Sequence, residues 1–179
     1  LELIDQNGRI ERIITDQGEF TAEDVLITNG AWAHQFLKKL GLPIALQPAK
    51  GYSISFPNLP LMPQRPLYLS EDKVAVTPFT NHLRLAGTLE LSGMDLRIDP
   101  QRIAGIKKAG TRFMQLSGAE ETTEPWAGLR PCTPDGLPII APISQVQNLF
   151  LSTGHAMMGI TLAPFTGNLL AQLLNRQAP

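Results

Sequence analysis

The sequence predicts a mixed fold, α+β or α/β, and three stretches carry that expectation. "DVLITNGAWAHQFLKKLG" runs from an apolar, strand-like segment through Gly30 into a helical pattern, and "LFLSTGHAMMGITLAP" repeats the order of strand, glycine and helix near the other end. Between them, "KVAVTPF" and "HLRLAGTL" read as the two strands of a hairpin, with a helical pattern after them. The expected architecture is a strand–turn–helix unit at either end and a middle sheet covered by a helix.

Taken in order, "LELIDQNGRIERI" reads as a hairpin turning at Asn7-Gly8, a pair that tolerates the positive φ angles of tight turns. An opening in mid-hairpin without Met gives the expectation that the chain is a piece of a longer protein. Residues 9–15 and 24–28 are rich in Ile, Val, Leu and Thr and read as strands. Trp32, Phe36, Leu37 and Leu40 then recur at helical steps, with Lys38 and Lys39 suited to a helix C-terminus and Gly41 to its stop. Prolines at 43, 48, 57, 60, 63 and 66 leave only 50–56 for a regular strand and place a domain boundary near 42–48. Strands are expected at 73–79 and 82–89 around Thr80-Asn81, and Asp99-Pro100 opens a helix with Ile103, Ile106, Phe113 and Leu116 near one face. The proline- and glycine-rich stretch 125–142 reads as a shaped loop rather than helix or sheet. A strand at 149–152 and a helix from about 159 to 175 close the chain, the helix with a buried stripe of Leu162, Leu169, Leu170, Leu173 and Leu174.

Composition narrows the function. In 179 residues, 43% hydrophobic and 17% charged content describes a globular chain with a core. Fifteen Lys and Arg against sixteen Asp and Glu leave a net charge of −1, too little positive surplus for nucleic acid as a partner. The single Cys132 makes no internal disulfide, and His34, His82 and His155 are too scattered to suggest a metal site. No apolar run reaches the roughly 20 residues of a membrane span, and a reducing, cytoplasmic setting is expected.

Several residues are candidates for chemistry. Gly154, four residues, Gly159 and then Ile160-Thr161 imitate a phosphate loop, but that loop needs Lys where Ile160 stands. What survives is a helix start whose backbone N–H groups suit an electron-rich ligand group; by itself the stretch is more simply a tight turn. Gly30 makes the same case, against the plainer reading that a crowded turn tolerates only glycine. Arg130 offers a guanidinium that can fork onto a carboxylate, or else a structural ion pair with Glu120, Glu121, Glu124 or Asp135; the local sequence leaves both open. Arg84, alternating with Leu83 and Leu85, reads as an outer-face residue, and His155 as packed and hydrogen-bonded rather than as an acid or base. Cys132 has only Arg130 nearby to activate it. With no Ser-His-Asp ordering, carboxylate pair or metal cluster, an enzyme of this sequence needs a cofactor for its chemistry.

Three stretches taken together, "DVLITNGAWAHQFLKKLGLPIALQPAKGYSISF", "WAGLRPCTPDGLPIIAP" and "GHAMMGITLAPFTGNLLAQLL", resemble the flavin-dependent D-amino-acid oxidase family in order and spacing, most nearly bacterial D-amino-acid dehydrogenases and glycine oxidases. The resemblance implies an FAD-linked reductase type of fold: residues 1–42 and 132–179 as C-terminal portions of an FAD domain, and 43–131 as a substrate domain with an antiparallel or mixed sheet and covering helices. Members open with a G-x-G-x-x-G loop for the ADP half of FAD. That motif does not occur in these residues, so a missing N-terminal FAD-domain segment is an expected partner.

The resemblance also assigns roles. Gly30, Ala31 and Trp32 fall near the cofactor. Gly154, His155, Ala156, Met157, Met158, Gly159, Ile160 and Thr161 match the loop whose backbone embraces the flavin's pyrimidine end. Arg130 matches the arginine that clamps the substrate carboxylate, and Ala75, Leu89 and Met157 line the substrate pocket. Met157 stands where glycine oxidases place a second arginine, and Ala75 where they place an aromatic hydroxyl. The implied reaction is oxidation of the CH–NH2 group of a D-amino acid or related amine to an imino acid, with hydride transfer to flavin. A non-catalytic module that binds no FAD alone is the alternative, as is a sarcosine- or glycine-oxidase type of activity. A peripheral membrane or quinone link would belong to the parent protein.

Overall fold

The computed structural model describes residues 2–57, 59–116 and 125–176. The chain divides into two compact units, one formed by Leu1–Pro48 with Arg130–Pro179 and the other by Ala49–Leu129.

In the first unit, β1 (Glu2–Gln6), β2 (Arg9–Thr15) and β3 (Gly18–Phe20) form an antiparallel meander. Asn7 and Gly8 take φ angles of 54° and 74°, the paired positive values that a two-residue hairpin turn demands. The third strand had no alternating apolar pattern to betray it; all of its residues are exposed. β4 (Val25–Ile27) leads into a 3-10 turn at Gly30–Trp32 and then α1 (Ala33–Lys39), whose buried Leu37 packs beneath the sheet. Gly41, at φ 73°, turns the chain out of the helix.

The second unit is a sheet under a helix. β5 (Gln47–Pro57), β6 (Leu67–Leu69), β7 (Val74–Pro78) and β8 (His82–Glu90) lie in the order β6-β7-β8-β5, each antiparallel to its neighbour. β5 is longer at both ends than its prolines suggested, because Pro48 and Pro57 sit at the ends of the strand where no interior ladder bond is lost. α2 (Pro100–Phe113) is capped by the Asp99 carboxylate, which accepts from the Gln101 N–H at 2.8 Å. Its Ile106 and Ala109 pack on Tyr52, Ile54, Val76 and Leu85. Phe113, expected on this face, is instead 51% exposed at the last turn, and Leu116 reaches the core from beyond the helix end.

The stretch expected to be a loop at 125–142 holds two strands, β9 (Trp126–Cys132) and β10 (Ile139–Pro142). Both are edge strands, β9 beside β5 and β10 beside β11 (Leu149–Thr153), and edges tolerate the missing proline N–H. β10 runs antiparallel to β11, which runs parallel to β4. α3 (Gly159–Leu174) follows, but its expected stripe is shallow: Leu170 and Thr166 are buried, whereas Leu162, Leu169, Leu173 and Leu174 are only half-buried.

Asn148, 1% exposed, joins the two sheets of the first unit. Its Oδ1 accepts from the Ile10 N–H at 2.8 Å, its Nδ2 donates to the Ile10 carbonyl at 3.0 Å, and its own carbonyl accepts from the Val25 N–H at 2.7 Å. A side chain here replaces a strand in completing a ladder. Asn148→Ala leaves two buried groups of Ile10 unpaired, so unfolding in urea should show a loss of about 2 kcal/mol or more with an unchanged m-value. A midpoint equal to that of the native chain would contradict this role.

Candidate flavin and substrate site

The end of β11 organises the candidate site in the first unit. The Thr153 hydroxyl donates to the Gly30 carbonyl at 2.9 Å, tying the strand end to the turn after β4. Gly154 follows at φ 84°, and a Cβ there would lie 2.7 Å from Thr133 Cγ2 and 3.4 Å from Pro138 Cα. Only glycine fits both the conformation and the space. His155 then forms an isolated antiparallel bridge with Cys132, and the Ala156 N–H donates to the Pro131 carbonyl at 3.0 Å. Ala156 takes φ 45°, a left-handed conformation that a side chain resists, held by that bond and by Met158 N–H donating to the His155 carbonyl at 2.8 Å.

The helix opens from this loop. The first bond of α3 runs from the Leu162 N–H to the Met158 carbonyl at 2.9 Å, so the N–H groups of Gly159, Ile160 and Thr161 precede every intrahelical acceptor, and no side chain caps them. Around them, Ile160 is 93% exposed and Met157 73%, with Met158 also exposed. Unused donors at the positive end of a helix dipole, bordered by apolar side chains outside the core, suit a planar group with an apolar body and an electron-rich edge. The donor set therefore fits a flavin ring held by backbone.

His155 is engaged by a neighbouring side chain in this arrangement. Its Nε2 lies 3.1 Å from the Thr166 hydroxyl on α3, and burial pushes its pKa below the ordinary histidine value. Thr166 carried no local sequence signal, since eleven positions and a change of element separate the pair. Arg130, Pro131 and Cys132 are residues of β9, not of a loop, and Arg130 falls in the first unit with the Gly154 loop. Of its expected ion-pair partners, Glu120, Glu121 and Glu124 lie outside the described residues, while the Asp135 carboxylate accepts from the Leu137 N–H at 3.0 Å within its own turn. Among the described residues no cluster of metal ligands occurs.

Ala75 and Leu89 belong to the second unit. Val74 and Val76 point into the core under α2, so alternation puts Ala75 on the opposite, open face, where it pairs with Ala86. Leu89 is 57% exposed. Arg84 is exposed as expected, its guanidinium 5.2 Å from the centre of the Phe79 ring.

The sequence reading missed a charged cluster behind this sheet. Lys50 Nζ, 1% exposed overall, lies 3.1 Å from Asp95 Oδ2, 3.2 Å from Glu90 Oε1 and 3.1 Å from the Arg97 carbonyl. The Tyr52 hydroxyl donates to Glu90 Oε2 at 2.8 Å. Burial alone would lower the Lys50 pKa, yet its contacts with Tyr52, Asp95 and Glu90 outweigh burial and raise it. The Tyr52 phenol holds the Glu90 carboxyl low, the Arg97 side chain and N–H hold Asp95 well below the usual range, and burial followed by Glu90 raises Tyr52. A lone lysine inside the strand-like "AKGYSISF" was the available signal.

Because His155 has a lowered pKa in the folded chain, the unfolded chain binds its proton first. Stability should decline as pH falls through about 6.5, the ordinary histidine value, with the His155 contribution complete once pH is below the folded value. A proton NMR titration of the His155 ring should give a midpoint below 6.5; a midpoint at or above that value would contradict a buried, neutral imidazole.

Comparison with known proteins gives the family. The family model described as "DAO: FAD dependent oxidoreductase" matches residues 1–173. A D-amino acid dehydrogenase of Vibrio atlanticus (strain LGP32) is 39% identical over 175 residues, covering 97% of this chain and 42% of the relative. Among solved structures, the glycine oxidase of Bacillus cereus ATCC 14579 superposes with a TM-score of 0.85 at 23% identity, over 99% of this chain and 49% of that one. The iminodiacetate oxidase of Chelativorans sp. BNC1 gives 0.84 at 26% identity, over 99% and 49%. The chain thus spans less than half the length of each of these relatives. With nearly its whole length matched, the chain belongs to the DAO family of FAD dependent oxidoreductases, and FAD is the cofactor that this membership indicates.

Proposed function

We propose that the chain supplies the flavin-ring end of the cofactor site and the substrate clamp of an enzyme that oxidises the CH–NH2 group of D-amino acids or closely related amines. In this reading Leu1–Pro48 with Arg130–Pro179 is the C-terminal part of an FAD domain, and Ala49–Leu129 is the substrate domain. The observation that carries it is the start of α3, where three backbone donors precede the helix ladder and the Cys132–His155 bridge brings the strand of Arg130 alongside. The 39% identical D-amino acid dehydrogenase supports the substrate class. The single cysteine supports a cytoplasmic location, and no helix among the described residues is long and apolar enough to cross a membrane.

Bound FAD would supply a two-electron acceptor beside the substrate α-carbon. Arg130 would fork onto the substrate carboxylate and fix the α-carbon in place. The N–H groups of Gly159, Ile160 and Thr161 would favour negative charge at the ring edge they face, without reorganising. Met157, Met158 and Ile160 would exclude water. A neutral amine needs no side-chain base, in keeping with a His155 engaged by Thr166. The iminodiacetate oxidase likeness favours a secondary amine as the second reading.

Removing a charge-assisted bidentate contact costs about 2–3 kcal/mol, so Arg130→Leu should raise KM for a D-amino acid on the order of a hundred-fold in the FAD-loaded protein. An unchanged KM would refute the clamp. Flavin absorption bands in the purified protein accompany this reading, whereas a colourless protein that takes up no FAD would favour a non-catalytic module. Oxygen uptake against quinone reduction in the same assay identifies the electron acceptor.

A further inference from the structure

Two glycines of α2 differ in what surrounds them. A Cβ at Gly110 would run into the Leu85 and Leu116 side chains, so close packing accounts for that glycine. A Cβ at Gly105 would meet nothing within 4 Å, and the residue lies in the regular interior of the helix. Glycine weakens a helix interior relative to alanine, so neither packing nor backbone geometry accounts for Gly105.

The open space beside Gly105 is a cleft of about 240 Å³ between α2 and the strands β7 and β8. Its floor is apolar, formed by Val74, Ile106 and Ala109 of the core. Its rim is charged and of both signs, with Asp72 before β7 and Arg102 in the first turn of α2. The cleft lies on the α2 side of the sheet, and Ala75 lies on the other.

Neither rim charge is used up by the chain. The two Asp72 oxygens accept from Arg112 Nη1 at 2.9 and 3.0 Å, which fills two of the roughly four acceptor positions of a carboxylate. Arg102 Nε stands 3.8 Å from Glu90 Oε2 and 4.0 Å from Asp99 Oδ2, both longer than a hydrogen bond, and the side chain is half-exposed. Its guanidinium fork therefore keeps the geometry to receive a further carboxylate.

Thr88 also lines the cleft, at the place where β8 shifts register against β5. Its φ of 69° is one that a β-branched residue rarely adopts, and such strained residues gather where a ligand is held. The cleft thus combines a cation, an anion, an apolar floor and a strained backbone within one unit.

We propose that this cleft is an accessory binding site for a free amino acid with a short apolar side chain. Its carboxylate meets Arg102, its ammonium meets Asp72, and its side chain rests on Val74 and Ile106. Gly105 leaves the room it occupies. The inference does not depend on the oxidation proposed above, because an amino acid in this cleft is not the one consumed.

The test follows backbone amide shifts of the full 179-residue chain during titration with L-alanine. Saturable changes should appear at Thr88 and at residues 101–109, with a Kd on the order of 1 mM. Acetate and methylammonium, each carrying one of the two charges, should bind about ten-fold more weakly or less. Gly105→Leu fills the cleft while favouring the helix, and should weaken L-alanine binding about ten-fold or more. Arg102→Gln should do the same, and serves alone if Gly105→Leu does not fold. No saturable change at these amides overturns the proposal, as does native affinity in a folded Gly105→Leu or Arg102→Gln protein. Acetate or methylammonium binding as tightly as L-alanine overturns the two-charge recognition.

Discussion

The return of the chain at Gly154 is the constraint on which the first unit depends. At that residue β11 ends within van der Waals reach of Thr133 and Pro138, and the chain must turn with positive φ to start α3. The neighbouring contacts all serve this turn. Thr153 secures the strand end to the Gly30 carbonyl, the Cys132–His155 bridge brings β9 alongside, and the Pro131 carbonyl holds the strained Ala156. The result is a helix start whose first donors face outward rather than into the core. Backbone donors fixed this way need no side chain to move when a charged edge arrives, which is the condition for electrostatic preorganisation.

The second unit solves a different problem. Its sheet has one face under α2 and one face open, and the open face is usable only if its side chains are set in one register. Hydrophobic alternation fixes most of that register through Val74, Val76, Leu83 and Leu85. Near the end of β8 alternation is broken, and a buried charge cluster takes over. Lys50 is tolerated there because two carboxylates, a carbonyl and a phenol surround it, which satisfies the cation that burial would otherwise disfavour.

Much of this was legible in the sequence, where one residue type has few uses. Asn7-Gly8, Gly30 with Gly41, and Asp99-Pro100 named their turns and caps because positive φ and an N-terminal carboxylate admit few alternatives. The strand–glycine–helix order at 149–164 was readable for the same reason, and Ile160 was enough to exclude a phosphate loop. Strands at 126–132 and 139–142 were hidden because proline signals a loop unless the strand lies at a sheet edge, and edge position is a property of the tertiary fold. Thr166, Asn148 and the Lys50 cluster were hidden because their partners lie 11, 138 and about 40 positions away. The half-buried leucines of α3 show the limit of periodicity: it names a face, and the depth of burial depends on what packs there.

The central claim is that backbone donors at the start of α3 meet the flavin ring. Amide chemical shifts of the protein with and without bound FAD test it most directly. The account predicts the largest changes at Gly159, Ile160 and Thr161, with smaller ones at Gly30 and Ala31. Bound FAD that leaves those three amides unmoved, with its effects confined to other segments, would contradict it.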